Sequence, residues 1–310
     1  MLKTWSGKLT LFAFIVSTIL GGNNAIAVRF SNAEIPPFFG AAFRFAIAGL
    51  ILFLIVIIKR LPLPKGRTLI GVLIFGVLQF GIGYALGYWS LLEVSAGLFQ
   101  VILAIVPLLT YVFAILHRQE SFQWRILFGG FISMVGVAII FQDSLSANVP
   151  LLSLLAIILT AACFAESLVL VKSFPDIHPI TTNSISMIMG SLILFAFSTL
   201  SREVPHIPNM SVTFLAVIYL IFFGSIVMFV LALYVIARWK ASASSYQLVL
   251  MPIVTILFSS WLSHESISFT FLYGGFIVLA GVYIGSIMPS EFIWRFFFDK
   301  KGEGKLNKAE

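Results

Sequence analysis

Charge is scarce in this sequence. Only 10% of its 310 residues are Asp, Glu, Lys or Arg, where a soluble protein carries about 25%. Hydrophobic residues make up 60%, and the mean hydropathy is +1.08. No soluble fold hides that much apolar surface, so the solvent of this chain is lipid. Cysteine is nearly missing too. Cys163 stands alone inside an apolar run, which excludes a disulfide framework and reads as core packing. The four histidines (His117, His178, His206 and His264) fall near the ends of apolar runs, with no HExxH motif and no paired intramembrane aspartates. An intramembrane enzyme, a metal centre and a bound cofactor are all disfavoured. Arg44 is the one cation within an apolar run, too few for a sugar-phosphate or nucleotide cargo, which calls for several phosphate partners.

What is abundant is long apolar runs. A spanning helix needs roughly 20 mostly apolar residues, and ten stretches qualify: 9–28, 36–58, 68–90, 95–115, 122–141, 151–172, 181–200, 211–237, 242–262 and 267–287. The net charge of +7 sits in short runs between them. That is a topology signal rather than a nucleic-acid footprint. With the N-terminus inside, sixteen Lys and Arg fall on the cytoplasmic side and two, Arg29 and Arg202, on the other. The expected protein is an all-α integral membrane protein of ten transmembrane helices, with both termini cytoplasmic. The compact chain fits the inner membrane of a prokaryote.

The first stretch poses a question. A basic flank, an apolar run and Ala25-Ile26-Ala27 match a cleavable signal peptide. An internal repeat argues for a retained helix. Shifted by 145 residues, Ala96–Ile140 overlies its second copy with 15 of 45 positions identical. The matches include Pro107 with Pro252, Glu120 with Glu265, and Gly129-Gly130 with Gly274-Gly275. Shifted by 143, the first stretch overlies the sixth weakly, with Asn23 on Glu166 and Arg29 on Lys172. Residues 1–145 and 146–290 are therefore expected to be two five-helix repeats, followed by a basic cytoplasmic tail, 291–310. The tail begins with aromatic residues and is expected on the inner membrane surface, against anionic lipid. Five is odd, so the second repeat enters from the opposite side. Inverted repeats are a recurrent basis of alternating access in secondary transporters.

The runs "FFGAAFRFAIAGLILF" and "YALGYWSLLEVSAGLFQVILAIVPLLTYVFAILHRQESFQWRILFGGFISMVGVAII", with the second copy of the latter, resemble EamA-type permeases of the drug/metabolite transporter superfamily. The resemblance implies two inverted EamA repeats around a central cavity lined mainly by spans 1, 3, 4, 6, 8 and 9. It also implies export or exchange of amino acids and other small metabolites. Arg44 falls where that family carries an Arg. The family's aromatic-small-small-Asn run is here Gly21-Gly22-Asn23-Asn24, without the aromatic residue.

Candidate site residues follow from polarity at depth. Glu166 is the only acid deep in a span, and such residues face a cavity or a partner. Burial of a carboxylate favours its protonated form, which suits proton coupling. Asn23 and Asn24 are expected at the substrate, with Gln79, Tyr84, Gln100, Tyr246 and Gln247. Tyr88, Trp89 and Trp239 read as interface anchors. Arg44 is expected to be structural, snorkelling or bonding a helix end. Glu120 and Glu265 each precede a span and are expected at its positive dipole end. Pro107 and Pro252 lie within spans and shape or hinge them. Gly129, Gly130, Gly274 and Gly275 are expected to bring helices close. The cargo this suggests is a small neutral or zwitterionic molecule, with an amino acid the leading choice. An uncoupled facilitator or channel and a membrane scaffold are the alternatives. The sequence is neutral between monomer and homodimer.

Overall fold

The computed structural model describes residues 2–94, 96–142, 150–174, 177–206, 208–263 and 269–287. Helical segments occupy all ten apolar stretches, and no strand occurs among the described residues. In chain order they are α1 (Leu2–Ser31), α2 (Pro37–Ile58), α3 (Arg67–Ser90), α4 (Ala96–Leu103 and Val106–Leu116) and α5 (Trp124–Ile140). The second half has α6 (Leu151–Lys172), α7 (Pro179–Leu200), α8 (Ser211–Arg238), α9 (Ala241–Ser263) and α10 (Phe269–Val282, continued by Tyr283–Ile287). Seven are long and apolar enough to cross a membrane; three, in α4, α5 and α10, are shorter apolar helices. This is a multi-pass membrane protein, in which each helix satisfies its own backbone donors and acceptors away from water. Glu265 and the tail 291–310 lie outside the described residues.

Local chemistry sets the helix ends. Pro37 and Pro179 open α2 and α7 in the first turn, where a missing N–H costs nothing. Arg60, Arg118 and Arg202 follow α2, α4 and α7 with φ of 50°, 58° and 54°. Each closes a helix end: Leu61 N–H donates to Val56 O at 2.9 Å, Gln119 to Ala114 at 2.8 Å and Glu203 to Ser198 at 3.0 Å.

Packing between the halves has an exchange symmetry. Helix α1 packs on α8 and α9, while α6 packs on α3 and α4; α2 packs on α7, α5 on α10, and α4 on α9. Replacing each helix by the one five places along the chain maps this set of contacts onto itself. The symmetry extends to irregularities. Helices α3 and α8 each widen into a π segment, Val77–Gly83 and Phe222–Val227, and their first residues are 145 positions apart, the shift of the sequence repeat.

Glycine makes two of these interfaces possible. Between α5 and α10, a Cβ on Gly136 would meet Val278 N and Gly274 O at 2.7 and 2.9 Å, and one on Gly274 would meet Ile140 at 2.7 Å. Gly129 faces the Gly285 and Gly281 backbone there, and Gly130 faces Leu108 of α4. Gly275 is different: it is buried, yet no described atom lies within 4 Å of a Cβ placed on it. Between α1 and α9, Gly21 and Gly22 sit against Met251 and Val254, and Thr255 Oγ1 donates to Gly22 O at 2.7 Å.

The repeat-equivalent prolines behave differently. Pro107 sits in the first turn of the second piece of α4, just after the helix breaks, whereas Pro252 lies inside an unbroken α9.

Candidate functional site

A cavity of about 60 Å³ lies between α3, α6, α8 and α9. Phe75 and Gln79 wall it from the first half; Phe164, Leu168, Met228, Phe229 and Leu233 wall it from the second. The α9 residues Ser244, Ser245, Gln247, Leu248 and Met251 complete it. Its surface is apolar with a few amide and hydroxyl groups, the usual composition of a small-molecule site. The resemblance implied contributions from spans 1 and 4 as well. Helix α1 stands behind the wall rather than in it, at Gln247, whose Nε2 donates to Ser17 Oγ at 2.5 Å, and at Met251, which packs on Gly21.

Gln79 and Gln247 therefore stand at the cavity as expected. Gln79 is fixed by the Ser167 hydroxyl, which donates to its Oε1. Gln79 lies on the α3 π segment where α6 meets it, and π segments re-aim side chains at functional sites. At the equivalent place in the other half, Asn24 Nδ2 donates to the Gly224 carbonyl at 3.0 Å and approaches Met228 Sδ at 3.4 Å. Gly224 occupies the π segment of α8 at the position equivalent to Gln79. A Cβ there would run into the Asn24 side chain.

Other expected site residues lie elsewhere. Asn23 lines a separate groove of about 340 Å³ between α1, α8 and α9, with Tyr219, Leu215 and Phe258. Tyr246 is buried in a cluster with Val137, Val249 and Val278, against Gly130 and Gly285, and does not line the cavity. Tyr84 is held among Phe45, Phe80 and Phe164, one layer back from the cavity. The side chain of Gln100 lies outside what is described.

Glu166 does not line the cavity either. Phe164 and Leu168 point into it, so Glu166, two residues from each, projects to the other side of α6. Its Oε1 is 2.9 Å from His117 Nε2 at the end of α4, with both side chains partly exposed. His117 is missed by a reading that seeks partners only at mid-membrane.

Three carboxylates in the connections cap helices of the opposite half. Glu120 accepts from Ser242 N at 3.1 Å and Ser242 Oγ at 2.6 Å, at the start of α9. The expected dipole contact is real, but its helix is α9 rather than the adjoining α5, because the end of α4 abuts the start of α9. Glu203 accepts from Phe38 N at 3.1 Å and Phe39 N at 2.7 Å, at the start of α2. Glu34 accepts from Asn209 N at 3.2 Å and Met210 N at 3.0 Å, just before α8. The bond from Met210 is the main reason that the Glu34 carboxyl titrates below its usual value of 4.5.

Arg44 contradicts snorkelling. It is 2% exposed, with its guanidinium carbon 4.4 Å from the centre of the Phe45 ring and 5.2 Å from that of Tyr84. Tyr84 of α3 lies over the guanidinium, which stays inside the bundle rather than reaching out to water. Tyr88 is likewise buried, at 7% exposure, stacked toward Tyr84 rather than anchored at an interface. Trp239 packs against Phe14 with ring centres 5.1 Å apart.

Comparison with known proteins follows the two halves. Residues 8–142 and 151–287 each match the model of the EamA-like transporter family. A protein of Archaeoglobus fulgidus named an uncharacterized transporter is 28% identical over 83% of this chain and 91% of its own length. An Escherichia coli protein named as the uncharacterized inner membrane transporter YedA is 28% identical over 89% of this chain and 90% of its own. One crystal structure superposes with a TM-score of 0.77 at 14% identity, over 92% of this chain and 99% of its own; at that identity the likeness is one of fold.

Proposed function

This chain belongs to the EamA-like transporter family, and on that premise we propose that it is a secondary transporter moving a small neutral or zwitterionic metabolite, an amino acid first among them. The substrate passes by alternating access between two inverted five-helix repeats, with both termini in the cytoplasm and the cytoplasmic membrane as its location. One observation carries this reading: the cavity between α3, α6, α8 and α9 lies where two halves with exchange-symmetric packing meet. A symmetric set of contacts has two equivalent ways to be asymmetric, one open to each side. The paired π segments support it further, because Gln79 and Gly224 occupy matching positions in them and each is met by the first helix of the opposite half.

Glu166 is the proposed coupling group, now acting at one end of the bundle. The bridge to His117 ties α6 to α4. Its repeat equivalents are Asn23 and Leu262, which cannot form an ion pair. Protonating Glu166 removes the attraction that holds that end shut, and so links proton binding to opening there.

Uptake of labelled amino acids and small metabolites into proteoliposomes, with and without a pH gradient, tests this function. Saturable uptake of at least one compound is expected. Folded, inserted protein that moves none of them while binding another membrane protein tightly would favour a scaffold.

A further inference from the structure

We infer that Arg44 is the carboxylate-binding group of the substrate site, closed off in this conformation by two layers of aromatic rings. The inference rests on the transporter reading above and names the substrate class.

Arg44 is a permanent cation in the middle of a spanning helix, and its Nε and Nη1 are buried without a hydrogen-bond partner. The ion pair between His117 and Glu166 lies elsewhere in the bundle. A buried charge left without its counter-ion is among the costliest arrangements in a protein. The Phe45 and Tyr84 rings offset part of that cost through cation–π contact, and the Tyr84 hydroxyl adds a hydrogen-bonding contact with the guanidinium, but the N–H groups of Nε and Nη1 stay unused. An apolar side chain of similar volume would fill this place without the cost. The arrangement makes sense when the missing acceptor arrives with the cargo.

The cavity is close at hand. Phe45 packs on Phe229 with centres 6.3 Å apart, and Tyr84 packs on Phe164 at 5.6 Å. Phe229 and Phe164 are cavity walls. Two rings on each route therefore separate the guanidinium from the cavity, Phe45 and Phe229 on one and Tyr84 and Phe164 on the other. Helix α2 also packs on the π segment of α8, which carries Ser225, whose buried hydroxyl is likewise without a partner. Guanidinium geometry suits a planar carboxylate. A single cation and an otherwise neutral wall of Gln79, Ser244 and Gln247 suit a molecule with one carboxylate and no second anionic group.

The test compares wild type, Arg44→Met and Arg44→Lys in nanodiscs, using thermal unfolding with sodium propionate, propionamide and sodium chloride as probes, alongside uptake of the amino-acid panel. The expected result is a saturable rise in wild-type Tm with propionate, absent with propionamide and with chloride. Arg44→Met should keep or raise the Tm of the empty protein and lose that response, with affinity for transported carboxylates down about 10- to 100-fold. If Arg44→Met fails to fold, Arg44→Lys carries the test: weaker carboxylate affinity at unchanged Tm supports the inference. A variant that lowers Tm but keeps wild-type response to propionate overturns it, as does an equal response to chloride. Transport of neutral or cationic compounds with no effect of Arg44→Lys on carboxylates also overturns it, and leaves the transporter reading standing. A propionate response without flux of any compound overturns the transporter reading and leaves Arg44 as an anion site.

Discussion

Asn24 reaches across from α1 to donate to the carbonyl of Gly224 at 3.0 Å, in the only space that a residue without a side chain leaves. Its repeat equivalent, Ser167, reaches from α6 to the Gln79 side chain. The two contacts pin the first helix of each half to the π segment of a partner helix in the bundle. They differ in one respect: Gln79 opens onto the cavity, whereas Gly224 withdraws to admit Asn24.

Replacing Gly224 by alanine therefore forces the Asn24 side chain out of its place. Overpacking of this kind costs about 1–3 kcal/mol. Thermal unfolding in detergent should show that loss, and Asn24→Ala in the same chain should recover part of it. Additive effects of the two substitutions would contradict the contact.

The glycines of α5 and α10 make a sharper comparison. Gly136→Ala meets backbone of α10 and should destabilise by about 1–3 kcal/mol. Gly275→Ala meets open space and should be neutral or stabilise by up to about 1 kcal/mol, since Ala is the better helix former. Both are helix-interior glycines, so the interface separates the two outcomes. Measured Tm values in one detergent decide it.

Glu120 holds the start of α9 through two hydrogen bonds to Ser242. Glu120→Ala leaves a buried N–H and a buried hydroxyl unsatisfied, at a cost of about 1–3 kcal/mol. Glu120→Gln keeps one acceptor and should cost less. Equal Tm for all three proteins would refute the cap.

Acid should loosen the opposite end of the bundle. The Glu34 carboxyl titrates below 4.5 because it accepts from Met210 N–H. A carboxylate with a lowered folded pKa adds stability above its unfolded value and loses it as pH falls through the folded one. Wild type should thus lose stability relative to Glu34→Gln below about pH 4.5 and hold a constant difference above it. A difference that grows toward neutral pH would contradict the assignment.

Periodicity and repetition made much of this architecture readable. Ten apolar stretches became ten helical segments, because apolar runs in lipid have few other ways to satisfy a backbone. The 145-residue shift also separates the paired π segments at Val77 and Phe222, which nothing in either stretch announces. What stayed hidden was the choice of partner. Glu120 adjoins α5 in the chain but caps α9, because helix packing, not sequence distance, decides which helix end lies nearest. Glu166 was legible as an unusual acid, but the direction it faces follows from Phe164 and Leu168 taking the cavity side of α6. Ser167 and Ser244 went unnoticed because serine is common in such helices and carries no signal until a neighbour is known. Arg44 was legible as a lone cation; its burial was not, since that depends on Tyr84 of α3 packing over it.

The most direct test of alternating access uses the chain's single cysteine. With Cys163 replaced by serine, Ser244→Cys puts one thiol in the wall of the cavity. A membrane-impermeant thiol reagent is then applied to oriented vesicles from either face, with and without a transported compound. The account predicts labelling from both faces, with the ratio between faces shifted by the compound. Labelling from one face only, unchanged by any transported compound, would contradict a central site shared by two alternating states.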